Sequence, residues 1–413
     1  MHAHALQGTG LDGAAASPPA AAGENAQVLA ADPAAFEVRA GTLASFAEHW
    51  PRTDRVGEAR AHVFQCADVL EVWLDTLGRA RGTAGCFVGV FDRGGRPVML
   101  LALGLERRRG VRVLTFLDGS VSDYNAPVLF PAAAAIDDRA WPGLWRAVLA
   151  ALPPFDVALL EKMPEAVGDL PNPLLRLATA QMAESAHVMT LGGTRGALEA
   201  RLPNTKRQAR YRKQLLKVGP LRLQVAEEIG EAEAFLANMV GNKTRRFAET
   251  RVPGFELPGK LAFYQEATRR LGRPAPVHVS ALTVGDTVIA SHWGLTLGDR
   301  FYYLMTAYAG GEWRRFGPGR FLTDDLVRWC HANGFRTYDF GVGDEAYKFD
   351  YCDVTLSLHR ADLAATVRGR LHLRAAATLA RLRATRLWQT VRPWKWVVLR
   401  ALKGGRQAPG GAG

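Results

Sequence analysis

Three apolar runs joined by Gly-Asp turns constrain this chain more than any other feature. Pro276–Val284 ends at Gly285-Asp286, Val288–Leu297 ends at Gly298-Asp299, and Phe301–Ala307 follows. Runs of this kind separated by short glycine turns read as an antiparallel meander. Next comes Arg314-Arg315-Phe316-Gly317-Pro318-Gly319-Arg320, then a run from Phe321 to His331. Leu322, Leu326 and Trp329/Cys330 fall on one face of that run, a helical period. Asn333-Gly334 supplies a stop, and Thr337–Phe340 reads as one more strand. The order is meander, glycine loop, helix, strand. A dinucleotide fold fits it poorly, because the loop is not G-x-G-x-x-G and no parallel βαβ unit precedes it.

Arg314, Gly317 and Gly319 satisfy the pattern R-x-x-G-x-G directly ahead of a helix. Such a loop aims free backbone N–H groups and the positive end of the helix dipole at a phosphate. A side chain at either glycine would hold a pyrophosphate off the backbone. The bland alternative is a plain turn.

The same order of elements occurs earlier. Cys86–Phe91, Pro97–Leu105 and Val111–Leu117 read as strands, Trp141–Leu152 as a helix and Val157–Glu161 as a strand. The likeness lies in the order, not in residue identities. The first copy has no R-x-x-G-x-G; its corresponding segment is Asp118-Gly119-Ser120-Val121-Ser122-Asp123-Tyr124-Asn125. Two domains suit a chain of 413 residues. The expected division is a disordered leader at 1–35, an N-terminal domain at 36–190, a C-terminal domain at 191–365 and a basic helical tail at 366–413. The cofactor is expected in the second domain only, with the first shaping the acceptor side.

Composition narrows the setting. The leader is rich in Ala, Gly and Pro and carries neither the basic start nor the apolar stretch of a secretory signal. No run approaches the length of a membrane span. Cys66, Cys86, Cys330 and Cys352 lie far apart, so no metal set and no disulfide framework is expected. A reducing cytoplasm fits this usage. The net charge of +12 is concentrated at one end: residues 363–413 hold eleven Lys/Arg and no Asp/Glu, which leaves 41 basic and 40 acidic groups in 1–362. That tail reads helical from Leu371 to Leu387, with Trp388, Trp394 and Trp396 near its end. Basic residues beside tryptophans suit an anionic membrane surface, at most ~1 kcal/mol per charge. The other reading is a helix packed on the domain. The expected location is therefore cytoplasmic, with peripheral contact at the inner membrane face.

Several segments converge on one family. In chain order they are Val63-Phe64-Gln65…Trp73-Leu74…Leu77-Gly78, then Ser122-Asp123-Tyr124-Asn125, the basic run Thr205–Lys213, and Asp339-Phe340-Gly341-Val342-Gly343-Asp344-Glu345-Ala346-Tyr347-Lys348. Over residues 36–360 the chain resembles the CelD/BcsL-like acetyltransferases of the GNAT superfamily, associated by name with cellulose and exopolysaccharide biosynthesis. Their architecture is similar to that of the FemAB/FemX aminoacyl transferases. The resemblance implies an α/β (α+β) fold of tandem GNAT-like domains, each a mixed, mostly antiparallel sheet flanked by helices. It implies acyl transfer, of acetyl in the first instance, from acetyl-CoA to an amine or hydroxyl of a small-molecule or saccharide acceptor, without a metal. It further implies that Arg314, Arg315, Phe316, Gly317, Pro318, Gly319 and Arg320 hold the CoA pyrophosphate. It does not identify the acceptor.

Acyl transfer to an amine needs the reactants held together, a proton removed and a thiolate stabilised. Positioning supplies roughly 7–11 kcal/mol at best. Deprotonating an amine of pKa ~10 at pH 7 costs about 4 kcal/mol. Candidate bases are His292, whose ordinary pKa suits neutral pH, and Asp344 or Glu345 beyond the last strand. His292 has a second reading as a core histidine, and the two acids as caps of a following helix. Tyr347 stands where many GNAT enzymes carry the tyrosine that protonates the thiolate; packing is its alternative. Lys348 reads as a holder of a phosphate or acidic partner, or as solvated. Asp123, Tyr124 and Asn125 are the acceptor-site candidates of the first copy. Trp293, Tyr302, Tyr303 and Tyr308 could line a carbohydrate groove or the core. Lys206, Arg207, Arg210, Arg212 and Lys213 form a basic face for solvent or for an anion such as the adenosine phosphate of CoA. With no RNA-binding module in sight, CoA is the expected donor over aminoacyl-tRNA, and no DNA partner is expected. An aminoacyl transferase and a non-catalytic scaffold of a polysaccharide complex are the rival readings.

Overall fold

The computed structural model describes residues 36–203, 205–250, 254–272 and 276–384. The leader and the tail tryptophans lie outside the described residues. Two mixed sheets carry the chain. Across the first, the order is Phe36–Gly41, Ala84–Asp92, Pro97–Arg108, Val111–Phe116, Val157–Pro164, Leu358–Ala364 and Ala180–Gln181. The second runs Leu221–Val225, Val277–Val284, Thr287–Leu297, Arg300–Tyr308, Thr337–Val342, Ala186–Thr190 and Val354–Leu356.

The two sheets repeat one plan at the level of register. In each, four antiparallel strands lead into a helix, Trp141–Ala151 or Pro318–Ala332, that returns the chain in parallel to the fourth strand. The parallel pairing spans three residue pairs only, Val113↔Val157 to Thr115↔Leu159 and Arg300↔Thr337 to Tyr302↔Asp339. Beyond them the strands splay apart. The duplication expected from element order is therefore present in the hydrogen-bond ladders, and the fold is the tandem mixed α/β arrangement expected.

The halves exchange strands. Ala186–Thr190 pairs with Thr337–Val342 and Val354–Leu356 in the second sheet, although it precedes the expected boundary at 190/191. Leu358–Ala364 follows the second half yet pairs with Val157–Pro164 in the first sheet. Each outer face has its own core: Leu144 and Val148 under the first helix, and Leu322, Leu326 and Cys330 under the second. Between the sheets lies one shared core that includes Trp50, Trp73 and Phe87 of the first half and Phe263, Trp293 and Tyr302 of the second. Each buried tryptophan or tyrosine there removes ~150–250 Å² from water, gross stabilisation of roughly 4–6 kcal/mol at ~25 cal/mol per Å².

One expected outcome follows from the exchange. A fragment of residues 191–365 lacks Ala186–Thr190, which leaves facing edges unpaired, and it carries Leu358–Ala364 with no sheet to join. Unpaired apolar edges aggregate. The fragment should be insoluble or lack a cooperative melt, while the full chain melts cooperatively; a soluble, cooperatively melting fragment would show that the exchanged strands are dispensable.

Candidate active site

The glycine loop adopts the geometry its sequence suggests. Gly317 has φ 63° and ψ 53°, a left-handed conformation that suits glycine, and serves as N-cap of the Pro318–Ala332 helix. Pro318 starts the helix, where its missing N–H costs nothing. No side chain caps this end and no acidic residue stands in its first turn. An anion would satisfy both the free amides and the dipole.

A cavity of ≈ 360 Å³ opens at this helix end. It is lined by Arg314, Gly317, Pro318, Gly319 and Arg320 of the loop, Tyr303, Thr306 and Tyr308 of the splayed strand, Thr323 of the helix, and Tyr347. The splay explains the cavity: past Tyr302 the Arg300–Tyr308 strand has no partner on that side. A bulge adds to it, since 302–305 faces 293–295 with one extra residue. Gly294 lies opposite that bulge, where a Cβ would overlap the Tyr302 carbonyl oxygen and the His292 ring. Tyr303 and Thr323 share a hydroxyl hydrogen bond of 2.9 Å beneath the cavity.

Arg315 and Phe316 do not line the cavity. Phe316 is buried and meets Tyr211 edge-on at 5.8 Å, which seats the Lys206–Val218 basic helix beside the loop. The Arg315 guanidinium lies 4.7 Å from the Phe316 ring centroid. Arg320 pairs with Asp350. On the basic helix Arg212 approaches Asp325 at 3.8 Å, while Lys206, Arg207, Arg210 and Lys213 are exposed.

The proton-transfer candidates separate. Tyr347 faces the cavity, and burial, followed by the charges of Tyr303 and Glu345, pushes its hydroxyl pKa up, so it remains a neutral donor. His292 is fully buried, stacked at 4.9 Å on Tyr303, and neither ring nitrogen has a hydrogen-bond partner. Burial holds its pKa well below the usual value, and it does not reach the cavity lining. Asp344 accepts from His187 Nε2 at 2.8 Å and from the Ser185 amide, which hold its pKa down. No α-helix begins at Asp344 or Glu345; a 3-10 turn at Lys348–Asp350 follows instead. Lys348 is neither solvated nor open to a phosphate. It is buried, its Nζ donates to the carbonyls of Gly341 and Val342, and it pairs with Glu345 at 2.9 Å.

The Asp123–Asn125 segment of the first half lies against the second. Tyr124 donates its hydroxyl to Asp339 Oδ1 at 2.9 Å and stacks on His62 at 4.4 Å. Asp339, wholly buried, also receives two bonds from Arg300, at 2.9 and 2.6 Å. Asn125 binds Asp118 Oδ2 and the carbonyls of Lys162 and Glu161. Asn125 thereby bridges the splayed strands of the first copy with the chain's own hydrogen bonds, beside a cavity of ≈ 240 Å³ lined by Thr115, Asp118, Leu159 and Glu161. Asp123 abuts Gly341, whose φ of 67° and missing side chain make room for the carboxylate. Burial, opposed by Lys162 and reinforced by Asp339, raises the Asp123 pKa to about 6. Of the four aromatics, Tyr303 and Tyr308 line the cavity, whereas Trp293 and Tyr302 are core.

Sequence reasoning missed Thr306, Thr323 and Lys243, whose Nζ donates to the Thr306 carbonyl at 3.1 Å. The bulge shifts the inward parity of the strand, so alternation could not have selected Thr306. Among the described residues there is no metal-binding cluster and no helix long and apolar enough to cross a membrane.

Residues 204–349 match the family model of the acetyltransferase (GNAT) domain, which spans the basic helix, the loop and Tyr347. No curated protein matches the sequence. Among solved structures, FemX aligns over 79% of this chain and 97% of its own at 11% identity, with a TM-score of 0.49. A tandem GNAT protein from the clavulanic acid biosynthesis pathway aligns over 80% and 99% at 11% identity, TM-score 0.44. L-PGS from Bacillus licheniformis aligns over 78% and 98% at 11% identity, TM-score 0.42.

Proposed function

We propose that this chain transfers an acyl group, acetyl in the first instance, from acyl-CoA to an amine or hydroxyl on a sugar or polysaccharide precursor. The observation that carries the reading is the cavity at the uncapped helix end, lined by five residues of the glycine loop and by Tyr347. The pyrophosphate would rest on the amides around Gly319 with Arg314 beside it. The pantetheine arm would run along the unpaired edge of 303–308, and the adenosine phosphate would meet the exposed cations of the basic helix. The acceptor would enter from the first half, past Asp123.

In the reaction the acceptor nitrogen or oxygen attacks the thioester carbonyl, the new C–N or C–O bond forms and the C–S bond breaks. Tyr347 gives its proton to the departing thiolate. Of the acidic candidates, Asp344 is held by His187 and Glu345 by Lys348, and His292 is sealed in the core. Asp123, with a pKa near 6, is the group best poised to take the acceptor's proton. A base acts in its deprotonated form, so activity is present above about pH 6 and falls as pH drops through that value. Thiol release measured against pH should show that break in wild type. Asp123→Asn should lower kcat/KM by about 100-fold and abolish the break; a retained break would assign the proton elsewhere.

A further inference from the structure

The cavity of ≈ 240 Å³ in the first half shares no lining residue with the one at the glycine loop. It opens beyond the Thr115↔Leu159 pair, where the Val111–Phe116 and Val157–Pro164 strands part. Thr115 pairs with Gly104 on its other side, and Phe87 pairs with Ala102, so these residues share one sheet face. Phe87 and Ala102 belong to the core shared with the second half. The cavity therefore turns toward the second half, and Arg81 on its wall donates to the Pro258 carbonyl there at 3.3 Å. The Trp141–Ala151 helix contributes no residue to it, so no helix end favours a pyrophosphate in this place.

Its wall is balanced in charge. The carboxylates of Glu106, Asp118 and Glu161 are matched by Arg81, Arg108 and Lys162. Most of these groups are engaged: Glu106 pairs with Arg108 at 2.8 Å, Asp118 with Lys162 at 3.0 Å, and Arg81 donates to the Gly119 carbonyl. Free hydrogen-bonding capacity belongs to three others. Asn125, 2% exposed, donates through Nδ2 to Asp118 and to the Glu161 carbonyl. Both partners are acceptors, which fixes the amide's orientation and leaves Oδ1 without a partner among the described residues. Thr115, 8% exposed, has a hydroxyl with no hydrogen bond among the described residues. The Glu161 carboxylate has only Arg360, at 3.6 Å. An amide oxygen, a hydroxyl and a carboxylate around a charge-balanced cavity suit an uncharged ligand rich in hydroxyls, since each hydroxyl both donates and accepts. A volume below the ~300–1,000 Å³ of drug-sized pockets limits it to a single small ring.

We propose that this cavity binds one uncharged sugar ring of the acyl acceptor through Thr115, Asn125 Oδ1 and Glu161. The proposal deepens the acyl-transfer reading and rests on it for the acceptor's role. Lys162 Nζ donates to Asp118 on the cavity wall and to the carbonyl of Ser122, the residue before Asp123, so the wall and Asp123 belong to one hydrogen-bonded loop.

The test titrates the full chain, free of CoA, with D-glucose, D-galactose and D-mannose, and with glucose 6-phosphate as the charged contrast. At least one neutral hexose should bind at one site per chain with millimolar affinity, and the phosphate ester should not bind there. Thr115→Val and Glu161→Ala should each weaken the hexose about tenfold. Thr115→Val should not lower the melting temperature, since the hydroxyl it removes has no partner. The hexose that binds should also speed thiol release from acetyl-CoA, and Thr115→Val should raise its KM while leaving that of acetyl-CoA unchanged. No hexose binding, binding untouched by both variants, or binding of glucose 6-phosphate in place of the hexoses would overturn the proposal. The two readings fail separately. Acetyl-CoA binding without a hexose site sinks this inference alone, while a hexose site without acetyl-CoA binding sinks the acyl-transfer reading and the acceptor's role with it.

Discussion

Asp339→Ala is expected to destabilise the fold by about 3–5 kcal/mol, the usual cost of removing one partner of a buried ion pair. Asp339 is wholly buried and receives two bonds from Arg300, one from the Tyr124 hydroxyl and one from the Gly341 amide. Its loss would leave the Arg300 charge facing the Tyr124 and Tyr302 rings, 5.4 and 5.3 Å from their centroids, without a counterion. Because Tyr124 comes from the first half and Asp339 from the second, the loss would also loosen the seam that carries Asp123. Thermal melting should show a drop of roughly 6–20 °C. Pairing Asp339→Ala with Arg300→Met should recover part of the loss, since the buried charge is then gone. A drop too small to measure would mean that water reaches Arg300 and that this pair does not hold the halves together.

Gly319→Leu should act on the cofactor and spare the fold. Gly319 is the second residue of its helix, and a Cβ there would lie 3.7 Å from the Tyr308 ring, an ordinary contact. Leucine is a better helix former than glycine, so stability should hold or rise slightly. Its side chain would enter a cavity of ≈ 360 Å³ where the pyrophosphate is expected. Affinity for acetyl-CoA should fall about 100-fold, or ~2.7 kcal/mol. Gly317→Ala offers a contrast. Nothing lies within 4 Å of its Cβ position, but φ of +63° charges an alanine with ~1–2 kcal/mol of strain. That variant should melt lower.

The sequence made the meander and the helix behind the loop legible because both rest on local signals. Strands at 277–284, 287–297 and 300–308 end within a residue or so of the Gly-Asp turns that mark them. Strand exchange was not legible. Ala186–Thr190 and Leu358–Ala364 are short apolar segments whose partners are chosen by the tertiary fold, and no local pattern says which sheet they join. His292 shows the same limit on the site. Its pKa recommended it, but the inward parity of its strand buries it between Phe301 and Tyr303. Lys348 reads as a surface residue after an acidic turn, whereas the carbonyls of Gly341 and Val342 draw it inside.

The central claim is a single acyl-CoA site in the second half. Calorimetric titration of the full chain with acetyl-CoA, alongside free CoA, tests it most directly. The account predicts one site per chain with micromolar affinity, lost in Gly319→Leu. A folded protein that gives no binding to either ligand would contradict it, and would turn attention to charged tRNA as the donor.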